Sequence, residues 1–502
     1  MAVVRPAQHR VPPAAFVAGA ACALAVAGTA AITGQGLPVP SIALPAVFAG
    51  ALGAVVLANW RAGVYLFLAW LVVEDLPRKF LGNDMRLYFA KDVLALILYL
   101  AFWARSLRGR ETRPSFRFLA PLIVFAAWGL VQVFNPRSPS PVYGLLGLRM
   151  YFFYVPMLFV GYALVRSERD LRRFLVFNLA LAAVVAGLGI AQGIVGLDFL
   201  NPGELAPELH LARLVRQAPI TGALVPRPTS VFVSDGRFAW YMLVAFLLGV
   251  GGTACALARR DLRGLMLAAT TGVVAAAIVV SGSRGTFMYA LGSTAVLAAA
   301  LQWGASRPLR GRVMKGTQLV LLAIGLGIVL VLVLFPEAVG ARWAFYYETI
   351  APWNPSSELA WRVWGYPVSN LLAAFSLPGW LLGYGIGTSS LGVQYVTGLL
   401  GLPALEIGVE SGYGTLILEL GILGPLLWLL WTTALVREGW AVLRRLRGSA
   451  LFPVGAAVLW FAFLLLFPFT LGGMQPYQNF IFNAYLWLLL GILFRLPALV
   501  RR

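Results

Sequence analysis

Apolar runs of roughly 20 residues recur along the whole chain, and short polar segments separate them. Within the runs apolar residues do not alternate with polar ones, so they do not read as strands of a membrane barrel. In lipid every backbone N–H and C=O must find a partner inside its own segment, which makes such runs helices. The pattern places spans at about 14–33, 43–60, 63–73, 91–104, 118–134, 150–165 and 174–192. It continues at 238–257, 264–281, 285–303, 317–335, 412–434, 451–468 and 477–494. The third and fourth are short and flank a charged stretch, Glu74 to Asp92, which reads as a re-entrant or interfacial helix. The expected fold is an all-α polytopic membrane protein of about fourteen transmembrane helices, with two larger loops at about 193–237 and 336–411. Three regions follow: 1–335 with the first loop, 336–411 as the large loop, and 412–502 as the C-terminal helices.

Composition agrees with this pattern. The 502 residues are 60% hydrophobic and 12% charged, about half the charged fraction of a soluble chain. The basic N-terminus, Met1 to Pro13, resembles a signal peptide, but the apolar run after it passes Ala30 and many spans follow. It is read as a first membrane helix. Cys22 and Cys255 fall inside separate expected spans and are read as buried thiols, not a disulfide or a metal site.

The formal charge of +20 would suit a nucleic-acid binder, but its distribution fits topology better. With the N-terminus inside, the inner segments hold 26 basic and five acidic residues, leaving 13 basic and 14 acidic elsewhere. That asymmetry is what the positive-inside rule requires, with both termini cytoplasmic and the two large loops outside. No inner loop exceeds about sixteen residues and no GxxxxGK[ST] motif occurs, so a nucleotide-driven transporter in one chain is excluded. No internal repeat is visible, which weakens a secondary-transporter reading.

The informative charges are the outer ones, which topology does not require. Arg284 sits in Ser281-Gly-Ser-Arg-Gly285, a tight turn between two spans. It is either a helix-end arginine reaching to the interface or an anion contact. Arg227, in Pro226-Arg-Pro-Thr229, is either a solvated loop residue paired with Asp235 or a second anion contact, and Arg237 is a similar candidate. Arg362 lies in Glu358-Leu-Ala-Trp-Arg-Val-Trp-Gly-Tyr366, an amphipathic segment whose Trp361 and Trp364 suit the membrane interface. Arg149 stands at the outer start of the sixth span. Glu410 stands where the large loop re-enters the membrane, as a general base or as an acid favouring a helix N-terminus. Glu419, deeper in the same span, is expected to partner a buried arginine. His9 and His210 lack neighbouring ligand-type residues, so no metal site is expected, and Gly383-Tyr-Gly-Ile-Gly387 alone does not imply phosphate binding.

Taken in order, several of these pieces resemble the O-antigen ligase and Wzy-type polysaccharide polymerase superfamily over roughly residues 145–470. The matching elements are Arg227-Pro-Thr229, Ser283-Arg-Gly285, Arg362 with Trp364, Leu382-Gly-Tyr-Gly-Ile-Gly387, and Glu410-Ser411 leading into Leu418-Glu-Leu-Gly-Ile-Leu-Gly424. The resemblance implies a GT-C-like glycosyltransferase that takes glycan from an undecaprenyl-diphosphate carrier, without a nucleotide sugar, a cofactor or a metal. Arg227, Arg284, Arg362 and Arg149 would hold the diphosphate, and Glu410, with Arg284 and Arg362, would form the catalytic set. Ligases of this superfamily carry a loop histidine where this chain reads Val409-Glu-Ser-Gly412, and no histidine follows His210. The departure favours a polymerase over an O-antigen-type ligase; a transporter or flippase of lipid-linked anions is the other reading. Implied partners are the lipid-linked oligosaccharide, membrane lipids and a chain-length regulator, not nucleic acid. The implied place is the bacterial inner membrane, with the active site facing the periplasm.

Overall fold

The computed structural model describes residues 52–82, 85–106, 114–203, 214–259, 263–306, 336–390, 409–473 and 479–500, with a few isolated positions between them. The expected spans 14–33 and 317–335, and the first part of 43–60, lie outside the described residues, as do Cys22, His9 and His210. The described residues are mostly helical, and eight of their helices are long and apolar enough to cross a membrane. It is a multi-pass membrane protein.

Those eight correspond to the expected spans 91–104, 150–165, 174–192, 238–257, 264–281, 412–434, 451–468 and 477–494. Three further expected spans are also helices. Trp60–Val73 and Leu119–Gln132 have 14 residues each, too few to cross a full bilayer core. Arg284–Gly304 has 21 residues, long enough to cross a bilayer core, and is mostly apolar though not among the eight.

The chain forms two compact units. The first holds α1 (Trp60–Val73), α2 (Asp75–Phe80) and α3 (Met85–Ser106), with segment 231–234. Asn59 caps α1 by accepting from the Arg61 and Ala62 amides. Trp60, Val64, Phe67, Leu68 and Leu71 then bury one helical face. The charged stretch after α1 is buried within this unit. Glu74, Asp75, Arg78, Lys79 and Lys91 are each at most 2% exposed. Burial is tolerable because the charges are paired: Arg78 meets Asp75 at 3.0 Å and Lys91 meets Glu74 at 3.0 Å. Asp75 also accepts from the Val233 amide. Burial pushes the Lys79 ammonium down to about 7, against the opposing pull of Asp75.

The second unit contains the remaining long helices. Helix α4 is Leu119–Gln132; α5 (Pro141–Phe152) and α6 (Met157–Leu164) make one span broken at residues 153–156, just before Pro156 takes the N-cap position. Helix α7 (Glu168–Val195) starts from a capping box between Ser167 and Asp170. Next come a hairpin of β1 (Val215–Gln217) and β2 (Leu224–Pro226), then α8 (Asp235–Ala258), α9 (Arg263–Val280) and α10 (Arg284–Gly304). The 336–411 loop is largely helical where described. It holds α11 (Pro336–Ile350), a π-turn at Trp361–Gly365, and α12 (Tyr366–Phe375). The C-terminal helices are α13 (Gly412–Leu420), α14 (Leu423–Arg445), α15 (Phe452–Leu466), α16 (Pro468–Leu471) and α17 (Phe480–Val500).

The expected single span 412–434 is broken at Gly421, whose φ of +68° stops the helix. The break is cut to fit the Gly383–Gly387 run. Gly383, Gly385 and Gly387 all have positive φ, and Tyr384 N and Gly385 N donate to the carbonyls of Leu418 and Glu419. A Cβ on Gly387 would lie 2.1 Å from the Tyr143 carbonyl, so only glycine lets this turn lie against α5. Glu419 is fully buried beneath it. It accepts from the Tyr151 hydroxyl at 2.8 Å and the Ser389 amide at 3.1 Å. Its recorded partners are therefore a tyrosine and backbone amides, not the arginine expected from the sequence.

Successive helices α7 to α10 run in alternating directions, which sorts their ends. At one end Glu168 pairs with Arg259, Gly448 N donates to the Gly304 carbonyl, and Arg447 packs over Trp303. At the other end Gln192 accepts from the amides of Thr229 and Ser230, close to the start of α8 and the turn between α9 and α10. The candidate chemistry gathers at this second end.

Candidate functional site

Four elements of the second unit build the site. The α9–α10 turn reverses at Gly282, φ +64°, and Ser283 caps α10 by accepting from Thr286 N, which sets Arg284 in the first turn. The strand β2 leads into Arg227, whose amide donates to the Leu214 carbonyl and whose stem lies against Gly282. Helix α11 packs on β2 through Phe345 and Tyr346, which bury with Ala218 and Val225. The carboxylate of Glu348, on α11, receives the Ile220 and Thr221 amides and ties the hairpin tip to the helix.

Five arginines meet here. Arg227 pairs with Asp235 at 2.5 Å, as the sequence alternative proposed. Arg284 Nη1 and Arg362 Nε reach the same oxygen, Glu358 Oε2, at 3.2 Å and 3.0 Å. Arg342 is 7% exposed and donates to the carbonyls of Val280 and Pro226, stitching α11 to the α9 end and to β2. Tyr346 donates to the Val279 carbonyl and feels the charges of Arg342, Arg227 and Arg284. Arg216 acts electrostatically on both Arg227 and Arg284. Among the described residues, five guanidiniums thus gather here and two carboxylates, Asp235 and Glu358, pair with them directly, so positive charge is in excess.

Burial lowers Arg227 and Arg342 from the usual arginine range, and for Arg227 the adjacent Asp235 opposes the fall. Burial also raises the Tyr346 hydroxyl, against the three arginines beside it. For Glu358 burial alone would raise the carboxyl, but Arg362 and Arg284 outweigh it and hold it below the ordinary range. Its two ion pairs are therefore fully formed at neutral pH and are lost only as pH falls through that lowered value. Fluorescence from the neighbouring Trp361 and Trp364 is expected to stay flat from pH 7 to about 4.5 and to change only below it. A midpoint above pH 5 would contradict the two-arginine hold.

Glu410 joins the same network from the far side of the large loop. It precedes Ser411, the N-cap of α13, so it stands outside the first helical turn. Its carboxylate accepts from the Tyr366 hydroxyl, and its amide donates to Asn370 Oδ1. The Tyr366 ring lies 5.5 Å from the Arg362 guanidinium. A continuous chain of contacts thus runs Arg284, Glu358, Arg362, Tyr366, Glu410. Glu410 and Arg362 are exposed, while Arg227 and Arg284 are half-buried.

The structure therefore brings together Arg227, Arg284, Arg362 and Glu410. Arg149 is half-buried near the end of α5, and the described contacts do not link it to this cluster. Arg237 packs over the Phe480 ring at 5.0 Å. Sequence reasoning passes over Arg216, Arg342, Tyr346 and Tyr366. The first two meet the criterion that flagged the others, an outer basic residue that topology does not require. Tyr366 follows Arg362 by four residues, the spacing of neighbours along a helix.

No protein-family model matches this chain, and no curated protein matches it.

Proposed function

We propose that this protein is a membrane-embedded glycosyltransferase that uses a lipid-diphosphate-linked glycan as donor, working as a polysaccharide polymerase at the outer face of the bacterial inner membrane. The observation that carries the reading is the gathering of Arg227, Arg284, Arg342 and Arg362 at one end of the helices, joined through Tyr366 to Glu410. Guanidiniums fork onto phosphate oxygens, and several in a partly desolvated cleft stabilise the charge that grows on a diphosphate leaving group. The opposite ends of the same helices carry the basic clusters of Arg166–Arg173, Arg259–Arg263 and Arg444–Arg447, which supports an outward-facing site.

In the reaction an acceptor sugar hydroxyl attacks the anomeric carbon of the lipid-linked glycan. The bond from that carbon to the diphosphate oxygen breaks, and its electron pair stays on the diphosphate among the arginines. The hydroxyl proton passes to the Glu410 carboxylate, and the anomeric configuration inverts. Glu410 suits this role because it is exposed, lies on the rim of the cluster, and is aimed by Tyr366 and Asn370.

The test of the base is Glu410→Gln, which keeps the shape and the contact with Tyr366. Turnover is expected to fall by about 10²- to 10⁴-fold with donor KM little changed. Unchanged turnover would remove Glu410 from the chemistry.

A further inference from the structure

We propose that Glu358 is a built-in competitor for the diphosphate: its carboxylate takes the place of a phosphate oxygen between Arg284 and Arg362, and the substrate binds by displacing it. This rests on the reading of the cluster as a diphosphate site.

Three observations carry it. First, one oxygen, Glu358 Oε2, spans both guanidiniums at 3.2 Å and 3.0 Å, the geometry in which a bridging phosphate oxygen is held. Second, the two carboxylates of the site differ in freedom. Asp235 and Arg227 are 18% and 16% exposed at their side chains, a closed pair. Glu358 and Arg362 are 40% and 51% exposed at their side chains, an open pair on the solvent side. Third, Glu358 opens the segment that carries the π-turn at Trp361–Gly365. The π-helical turn is an uncommon conformation found at functional sites. Trp361, Val363 and Trp364 on it are 54%, 63% and 68% exposed, so little buried apolar contact holds the segment down.

The consequence follows from charge. Once Glu358 swings away, the cluster regains one unit of positive charge, facing an anion with more oxygens than one carboxylate. Each arginine then gains the two-pronged contact that a single shared oxygen denies it. Glu358 thereby lowers affinity for any single anion and favours one that reaches both arginines together. The displaced segment lies four residues from Arg362 and eight from Tyr366, the partner of Glu410, so donor binding and placement of the base are coupled through Glu358.

The experiment measures binding of inorganic pyrophosphate to the full-length protein in detergent, with wild type, Glu358→Gln, Glu358→Ala and Arg284→Ala. Both Glu358 variants are expected to bind about five- to tenfold tighter, the size expected for releasing two partly exposed ion pairs. Arg284→Ala is expected to weaken binding by about tenfold or more. If the Glu358 variants bind equally or more weakly while Arg284→Ala weakens, the competitor role is wrong and the diphosphate site stands. If Arg284→Ala binds as wild type, both fall. If no protein binds pyrophosphate, the Glu358 variants included, the competitor role falls as well, because removing a competitor must raise affinity. A Glu358 variant that unfolds is replaced by the other, and thermal unfolding reports which one is folded.

Discussion

Arg284→Ala is expected to cut glycan elongation by about 10²- to 10³-fold while leaving the helices assembled. The size follows from where Arg284 stands. It begins α10 directly after the tight turn at Gly282, half-buried, with its guanidinium 5.4 Å from the Phe345 ring and aimed at Glu358. A charge fixed there costs nothing to reorganise as negative charge develops on a leaving diphosphate. Truncation to Ala leaves the α10 cap intact, because Ser283 supplies it. Arg284→Lys is expected to recover only part of the activity, since an ammonium supplies a point charge and not a fork. Elongation by purified protein, read as glycan ladders, with thermal unfolding as a control, checks this. Full activity in Arg284→Ala would remove the central residue of the site.

The largest expected effect on stability lies in the first unit. Asp75→Ala removes the carboxylate that faces Arg78 at 3.0 Å, beside Lys79, with both cations almost wholly buried. Breaking a buried pair from one side costs about 3–5 kcal/mol, because the remaining charge stays desolvated. It also takes away the acceptor of the Val233 amide. Replacing both partners, Asp75→Leu with Arg78→Met, is expected to be milder than Asp75→Ala alone, since no charge is then stranded. Thermal unfolding in detergent distinguishes the cases. A double variant less stable than Asp75→Ala would show that Arg78 is held mainly by other groups.

The parts of this fold that were legible in the sequence are those set by local pattern. Helices α7, α8 and α9 coincide with apolar runs bounded by charge, so their limits follow from hydropathy and the positive-inside rule. The break at Gly421 was not expected, although Glu419, Gly421 and Gly424-Pro425 interrupt the apolar run from Leu418 to Leu430, because such residues also occur inside membrane helices. It exists because a glycine turn some 35 residues earlier docks on Leu418 and Glu419, and no sequence window reports that. The pairing within the stretch from Glu74 to Asp92 was hidden for a related reason. Partners 17 residues apart, Glu74 and Lys91, meet in the folded unit and permit burial.

The site divides in the same way. Charge bias alone picks out Arg227, Arg284 and Arg362, because an arginine that topology does not require needs another reason to be there. The same bias applies to Arg216 and Arg342, but neither stands in one of the motifs that carry the family resemblance. Arg342 becomes recognisable only when α11 lays it against the carbonyls of Val280 and Pro226. Glu358 has no local signal beyond its i to i+4 spacing with Arg362. Its second partner, Arg284, is 74 positions away.

The central claim is that this membrane protein extends glycans from a lipid-diphosphate donor. The most direct measurement supplies purified protein in liposomes with an undecaprenyl-diphosphate-linked repeat unit, without nucleotide sugar and with a divalent-metal chelator. Glycan ladders that lengthen with time and vanish in Arg284→Ala are the expected result. No lengthening by the folded wild-type protein, or the same ladders from Arg284→Ala, would contradict it.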